Sequence, residues 1–385
     1  MVPRALTSVV VAAILYAGVA GAISLHAAQD ATTPATSLAN ALPPDADGEY
    51  IFKNNCATCH GPDGKGSPQS VVGFDVPLPD FTDCPTNTVE PFGDWNSVIH
   101  RGGPIRGLDH HMPAFGDALS DAQIESVVKY LWSLCDNPAW PRGDLNFPRA
   151  FFTEKAFPES ESVWTTGIST SGPKSIGNDL VYEHRIKQRS QYEITIPIEF
   201  QQTTPSGWVK GLGDVEFALR RSFIANLEHS FIFAAGGAVT LPTGKDEVGV
   251  GEGVTVWEPF AMFAKGIGAN GFVQVHGGYM ASSNRTNVEN STYLRQAWGY
   301  TYAQDHGFGR AWTPMAEVLW SKESHGGPNV VDVVPQMQVS LTKLQHILLS
   351  VGVSVPATER EGRHPQFLTY FLWDWFDGGL FQYWK

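Results

Sequence analysis

Tyr192-Glu193-Ile194-Thr195-Ile196-Pro197-Ile198-Glu199-Phe200 places an apolar side chain at every second position and a mainly polar one between. Successive residues of a strand point to opposite faces, so this stretch predicts a strand with one greasy side and one polar side. The same period recurs outward from it. Val215, Phe217 and Leu219 alternate with Asp214, Glu216 and Arg220; Leu294, Trp298, Tyr300 and Tyr302 share a face opposite Arg295 and Thr301. Met337, Val339 and Leu341 oppose Gln336, Gln338 and Ser340, and Ile347, Leu349, Val351 and Val353 oppose His346, Ser350 and Ser354. Runs of about ten residues separated by Gly, Asn, Asp and Pro clusters are the pattern of a transmembrane β-barrel with lipid-facing and lumen-facing sides. A soluble sandwich or lipocalin-like barrel alternates as well. Three features favour the membrane. Trp257, Trp312, Trp320, Trp373 and Trp375 fall near strand ends, as interfacial girdles do. After the first residues no apolar run is long enough for a spanning helix, so strands are the only means to cross. The chain also closes on Phe381-Gln382-Tyr383-Trp384-Lys385, an aromatic ending of the kind outer-membrane barrels present, although the final lysine departs from it. The expectation is an antiparallel barrel over 164–385 with about ten to twelve strands, an even number being usual in bacteria.

A different chemistry precedes it. Cys56-Ala57-Thr58-Cys59-His60 has the spacing of c-type haem attachment: two thiols that can bond the porphyrin edge, and an imidazole delivered to one face of the iron. A zinc site would need a second Cys or His pair, and a thioredoxin-like dithiol a βαβ setting. Neither is present. Residues 45–135 read as a compact helical domain. Gly48 to Asn55 leads into the motif as a first helix, and Ser120-Asp121-Ala122-Gln123 opens a last one as a capping box. That last helix carries an apolar stripe at Ile124, Val127, Val128, Leu131 and Leu134. Between them, Met112 before Pro113 is the expected sixth iron ligand, with His111 and His110 as alternatives, while Gly102, Gly103 and Gly107 let the loop pass close to a flat ring.

The rest of the chain frames these two parts. Residues 1–22 read as a signal peptide, with Arg4, an apolar stretch from Val9 to Val19 and the small residues Ala20-Gly21-Ala22; 23–44 read as a flexible segment. Residues 23–150 carry 16 Asp and Glu against 7 Lys and Arg, and residues 151–385 carry 23 against 18. Acidity concentrated near the motif argues against nucleic acid and suits attraction of a basic redox partner, or simply a soluble surface. Cys84 and Cys135 remain after the motif has used its pair; in an oxidising compartment they read as a disulfide or as two buried thiols. Residues 136–163, with Pro138, Pro141, Pro148 and Pro158, read as a linker over the surface of the helical domain, with aromatics able to dock. Gly249, Gly251 and Gly253 read as a turn between strands.

On these residues, 45–135 resembles a class I single-haem bacterial cytochrome c. The resemblance implies Cys56 and Cys59 as the covalent attachment points of one haem c, His60 as proximal and Met112 as distal ligand. Residues 205–265, with Gly211-Leu212-Gly213-Asp214 and Leu241-Pro242-Thr243-Gly244-Lys245, resemble an outer-membrane transporter family linked to aromatic-compound degradation. The layout is similar to the porin and cytochrome fusions of iron-oxidising bacteria, which have larger barrels. The expectation is an electron carrier, not an enzyme in its own right, held in the outer membrane of a Gram-negative bacterium. An even-stranded barrel has both ends on the periplasmic side, so the haem would sit there at the pore mouth, serving periplasmic redox partners. The alternative is an outer-membrane solute channel with the cytochrome domain as redox gate.

Overall fold

The structure, a computed structural model, describes residues 42–43, 45–204, 207–303 and 310–375. The signal peptide, nearly all of the segment 23–44 and the aromatic C-terminus lie outside the described residues. What is described divides into a helical domain and a barrel, as the two sequence periods require.

The first helix runs without a break through Gly48–Ile51, Phe52–Cys56 and Ala57–His60, and its middle turn is widened to a π-helix. Such widened turns are frequent at functional sites. Asp47 caps its start by accepting from the Tyr50 amide at 2.8 Å. It crosses the last helix, Asp121–Ser133, at Gly48, where a Cβ would lie 1.9 Å from the Ser126 carbonyl oxygen. Only glycine permits that approach. The capping box is present at Ser120 and Gln123. Between the two helices lies the core, with Ile51, Phe52, Phe81, Ile99, Leu119, Ile124, Val127, Val128 and Leu131 all buried. Cys84 and Cys135 are joined as a disulfide, their Cα atoms 5.3 Å apart, tying the short helix Cys84–Val89 to the chain just past the last helix. Replacing both by alanine is expected to cost the helical domain about 2–5 kcal/mol, read by denaturant unfolding under oxidising conditions, with the Cys56–His60 turn left intact.

Strands β1 (Glu161–Ser169), β2 (Ser175–Ile186), β3 (Ser190–Thr204), β4 (Gly207–Leu212), β5 (Val215–Asn226), β6 (Phe231–Leu241), β7 (Val256–Ile267) and β8 (Gly271–Ser282) are followed by β9 (Ser291–Tyr300), β10 (Tyr302–Ala303), β11 (Ala311–Glu323), β12 (Val330–Ser340), β13 (Ile347–Pro356) and β14 (Gln366–Asp374). Each pairs antiparallel with its neighbours, and β1 pairs with β14 from Glu161↔Asp374 to Ser169↔Gln366, which closes the sheet. β4 and β5 both pair along β3, and β9 and β10 both pair along β11, so each couple is one interrupted strand and the barrel has twelve. The first interruption has a clear cause. Asp214 turns away to accept from the Gly244 amide (2.8 Å) and the Glu252 amide (2.7 Å), while Thr243 Oγ1 accepts from Val215 N and donates to Gly213 O. The two short motifs of the transporter resemblance thus bind each other and fold the long β6–β7 connection, which turns on Gly249, Gly251 and Gly253, all at positive φ.

Sidedness follows the period. Leu219, Trp257, Trp298 and Tyr302 stand exposed on the outside, whereas Glu193, Arg220, Gln336, Gln338 and Ser350 are buried within.

Residues 136–163 do not run over the helical domain throughout. Asp144 accepts from the Phe92 amide at 3.0 Å, and Arg142 donates to Asn87 Oδ1 and to the carbonyls of Trp132 and Cys135, so 136–144 lies on the helical domain. From Asn146 to Ser160 the chain instead enters the lumen. Glu317 on β11 accepts from the amides of Phe151, Phe152 and Thr153, and Gln274 on β8 donates to Pro148 O. Arg295 on β9 donates to Phe152 O, Ser222 on β5 to Ala156 O, and Tyr370 on β14 to Arg149 O. The physical reason is charge: Arg149 pairs with Glu161 and Glu183, and Arg220 with Glu154 and Glu183, each side supplying partners the other needs. A segment without regular structure can be buried only if its backbone groups are satisfied, and the inward Glu, Gln, Arg and Tyr of the wall do that.

Candidate functional site

The helical domain holds a cavity of about 670 Å³, within the usual range for a cofactor site. Cys56, Cys59 and His60 line it from the end of the first helix, from the last residue of its widened turn onward, and Met112 lines it from the loop before the last helix. Phe52, Phe81, Trp95, Ile99 and Leu131 supply apolar walls. His60 packs on Phe81 at 4.9 Å between ring centroids. Its burial pushes the imidazole down to about 4, so at neutral pH the ring is uncharged and keeps a lone pair for a metal. Burial, with Cys59 beside it, pushes the Cys56 thiol up to about 11, so it stands protonated. No disulfide joins Cys56 to Cys59.

The Met112 loop is built for close passage. Gly102 and Gly107 adopt positive φ, Gly103 N donates to Met112 O at 2.9 Å, and a Cβ on Gly103 would meet the Asp109 carbonyl oxygen at 2.2 Å. Met112 packs against the core cluster. His110 and His111 reach the same cavity but are exposed and engaged with Asp109, whose Oδ1 lies 3.2 Å and 2.6 Å from their Nδ1 atoms; His111 also stacks on Phe74. His100 stands apart, against Gly116 and 3.7 Å from Asp121.

Trp95 and Arg106 are among the lining residues not singled out in the sequence. Trp95 Nε1 and Arg106 Nη1 are buried N–H groups with no hydrogen-bond partner among the described residues. A buried donor left alone is costly, and the carboxylates of a haem are groups that would satisfy both. The residues present therefore fit a haem: two thiols, an uncharged imidazole and a thioether, in an apolar chamber with unpaired donors. The only cue in the sequence was an arginine isolated among glycines in a loop already assigned to the ring.

Together, a haem-binding helical domain and a closed barrel, apolar outside and polar within, define a cytochrome joined to a membrane-spanning β-barrel. Residues 43–131 match the family model described as cytochrome c oxidase, cbb3-type, subunit III. Cytochrome c6 of Synechococcus sp. is 35% identical over 86 residues, 22% of this chain and 66% of that protein. Cytochrome c6 of Bumilleriopsis filiformis is also 35% identical over 86 residues, 86% of its length. Through this region the chain belongs to the cytochrome c family, whose cofactor is haem c. Among solved structures, the KdgM porin shares 10% identity at a TM-score of 0.38, covering 55% of this chain and 98% of that one. An outer membrane channel from Pseudomonas putida F1 shares 13% at 0.41, covering 59% and 99%. The barrel assignment rests on the strand pairing itself.

Proposed function

We propose that this protein is a haem c electron carrier fixed to an outer-membrane β-barrel, passing single electrons through an iron held by His60 and Met112 on the periplasmic side. The observation that carries it is the convergence of Cys56, Cys59, His60 and Met112 on one apolar cavity. One haem, bound covalently through Cys56 and Cys59, would supply reversible one-electron chemistry. The chain's own part is to exclude water from the ring, to present one neutral imidazole, and to keep a stiff Met112-Pro113 loop against the core. A thioether opposite an imidazole raises the potential relative to two imidazoles.

Orientation is supported by the connections. The described turns 187–189, 227–230, 268–270 and 341–346 at the end where β1 begins are all short, whereas the other end carries 170–174 and 324–329 together with the longer connections 242–255, 283–290 and 357–365. In bacterial barrels the short turns are periplasmic. Turn residues Arg189 and Lys343 donate to Pro138 O, Ala139 O and Pro104 O, so the short-turn end is the one that holds the cytochrome domain. The alternative, a solute channel with a redox gate, is disfavoured by the segment lying in the lumen.

A test of the site is Cys59→Ser in the full chain. Haem staining after denaturing electrophoresis should weaken severely relative to the parent, because one of two thioether bonds cannot form; undiminished covalent haem would overturn the assignment.

A further inference from the structure

The barrel forms part of the haem pocket. Leu344, in the turn between β12 and β13, lines the same cavity as Cys56 and Met112 and is only 5% exposed. Its carbonyl accepts from Arg106 Nη2 at 3.0 Å, and Asp94 Oδ2 holds the same nitrogen at 2.6 Å. Its Cγ would lie 3.9 Å from a Cβ on Gly107, and the neighbouring Lys343 reaches Pro104 O at 3.5 Å. One barrel turn therefore touches the Met112 loop at Pro104, Arg106 and Gly107. A second cavity, of about 180 Å³, lies at the barrel mouth, and Glu90, Asp94, Arg106 and Leu344 line both cavities. These four residues are the partition between haem and barrel.

We infer that docking on this turn sets the potential of the haem: Leu344 closes the haem edge against the water-accessible mouth, and its carbonyl fixes Arg106, leaving Nη1 for a haem carboxylate. This rests on the haem reading above. Reduction of the iron would lower the net charge of the haem by one, so a buried cation beside it favours the reduced state and a buried anion opposes it. The barrel is then a working wall of the redox site as well as its anchor.

The test uses the full-length holoprotein in detergent, with haem content by pyridine haemochrome and midpoint potential by optical titration. Leu344→Asp should lower the ratio of reduced to oxidised haem at fixed ambient potential about tenfold, about 59 mV for a one-electron couple, while Leu344→Met leaves it unchanged. Arg106→Gln should shift it in the same direction, and Arg106→Lys should restore most of it. Full haem content with an unmoved potential in Leu344→Asp overturns the inference, even if Arg106→Gln shifts, since Arg106 would then act without the barrel. Should Leu344→Asp not accumulate, Leu344→Gln is judged by the same criterion with a smaller shift. A parent protein that carries no haem overturns the haem reading instead.

Discussion

Met112→Ala in the holoprotein is expected to abolish the weak red absorption band of methionine-ligated ferric haem and to lower the midpoint potential by some hundreds of millivolts. Axial ligands set haem potentials over a range of about 0.8 V, and loss of a thioether removes the ligand that favours the reduced iron. The fall should be far larger than that of Leu344→Asp, because a bond to the metal is lost rather than a charge added nearby. His111→Ala and His110→Ala should leave the band in place, since both rings are engaged with Asp109 at the cavity rim. A band that survives in Met112→Ala and vanishes in His111→Ala would assign the sixth position to His111.

The second large effect is expected from Arg149→Ala. Arg149 sits between Glu161 and Glu183, which are 1% and 0% exposed, and its loss leaves carboxylates buried with reduced compensation. Breaking a buried pair from one side costs about 3–5 kcal/mol. The lumen segment should loosen, giving new protease cleavage between 146 and 160 and a lower temperature for loss of the heat-modifiable gel shift. Reconstituted into vesicles, the parent should pass no small solute and the variant should pass it. Equal flux from both would show that the segment does not obstruct the barrel.

The difference between what was legible and what was not has a physical basis. The strands could be read because lipid and lumen demand opposite side chains at alternate positions, so Phe217 and Arg220 announce their faces one residue at a time. The haem turn could be read because its spacing is covalent chemistry. The lumen segment could not. Asn146 to Ser160 has no period, and its prolines suggest a tether; its structure comes from partners on strands far along the chain. A signal was nevertheless present. Glu183, Glu193, Arg220 and Glu317 fall on the inner faces of strands, where burial requires partners, and Arg149, Glu154, Lys155 and Glu159 lie among the phenylalanines of the supposed linker. Arg106 escaped notice for the same reason, since one of its partners, the Leu344 carbonyl, belongs to a turn more than two hundred residues away.

The path of residues 144 to 149 also limits where the haem can go. Asp144 is fastened to the helical domain and Arg149 to the inner wall of the barrel, leaving four residues, and so five Cα-to-Cα steps, between the two fixings. Fully stretched they reach roughly 18 Å. Even if every surface contact were released, the haem domain would swing on a leash shorter than its own width, so it cannot travel to fetch or deliver an electron. Its partners must come to the membrane, and the rate of exchange should scale with their concentration and charge at that surface.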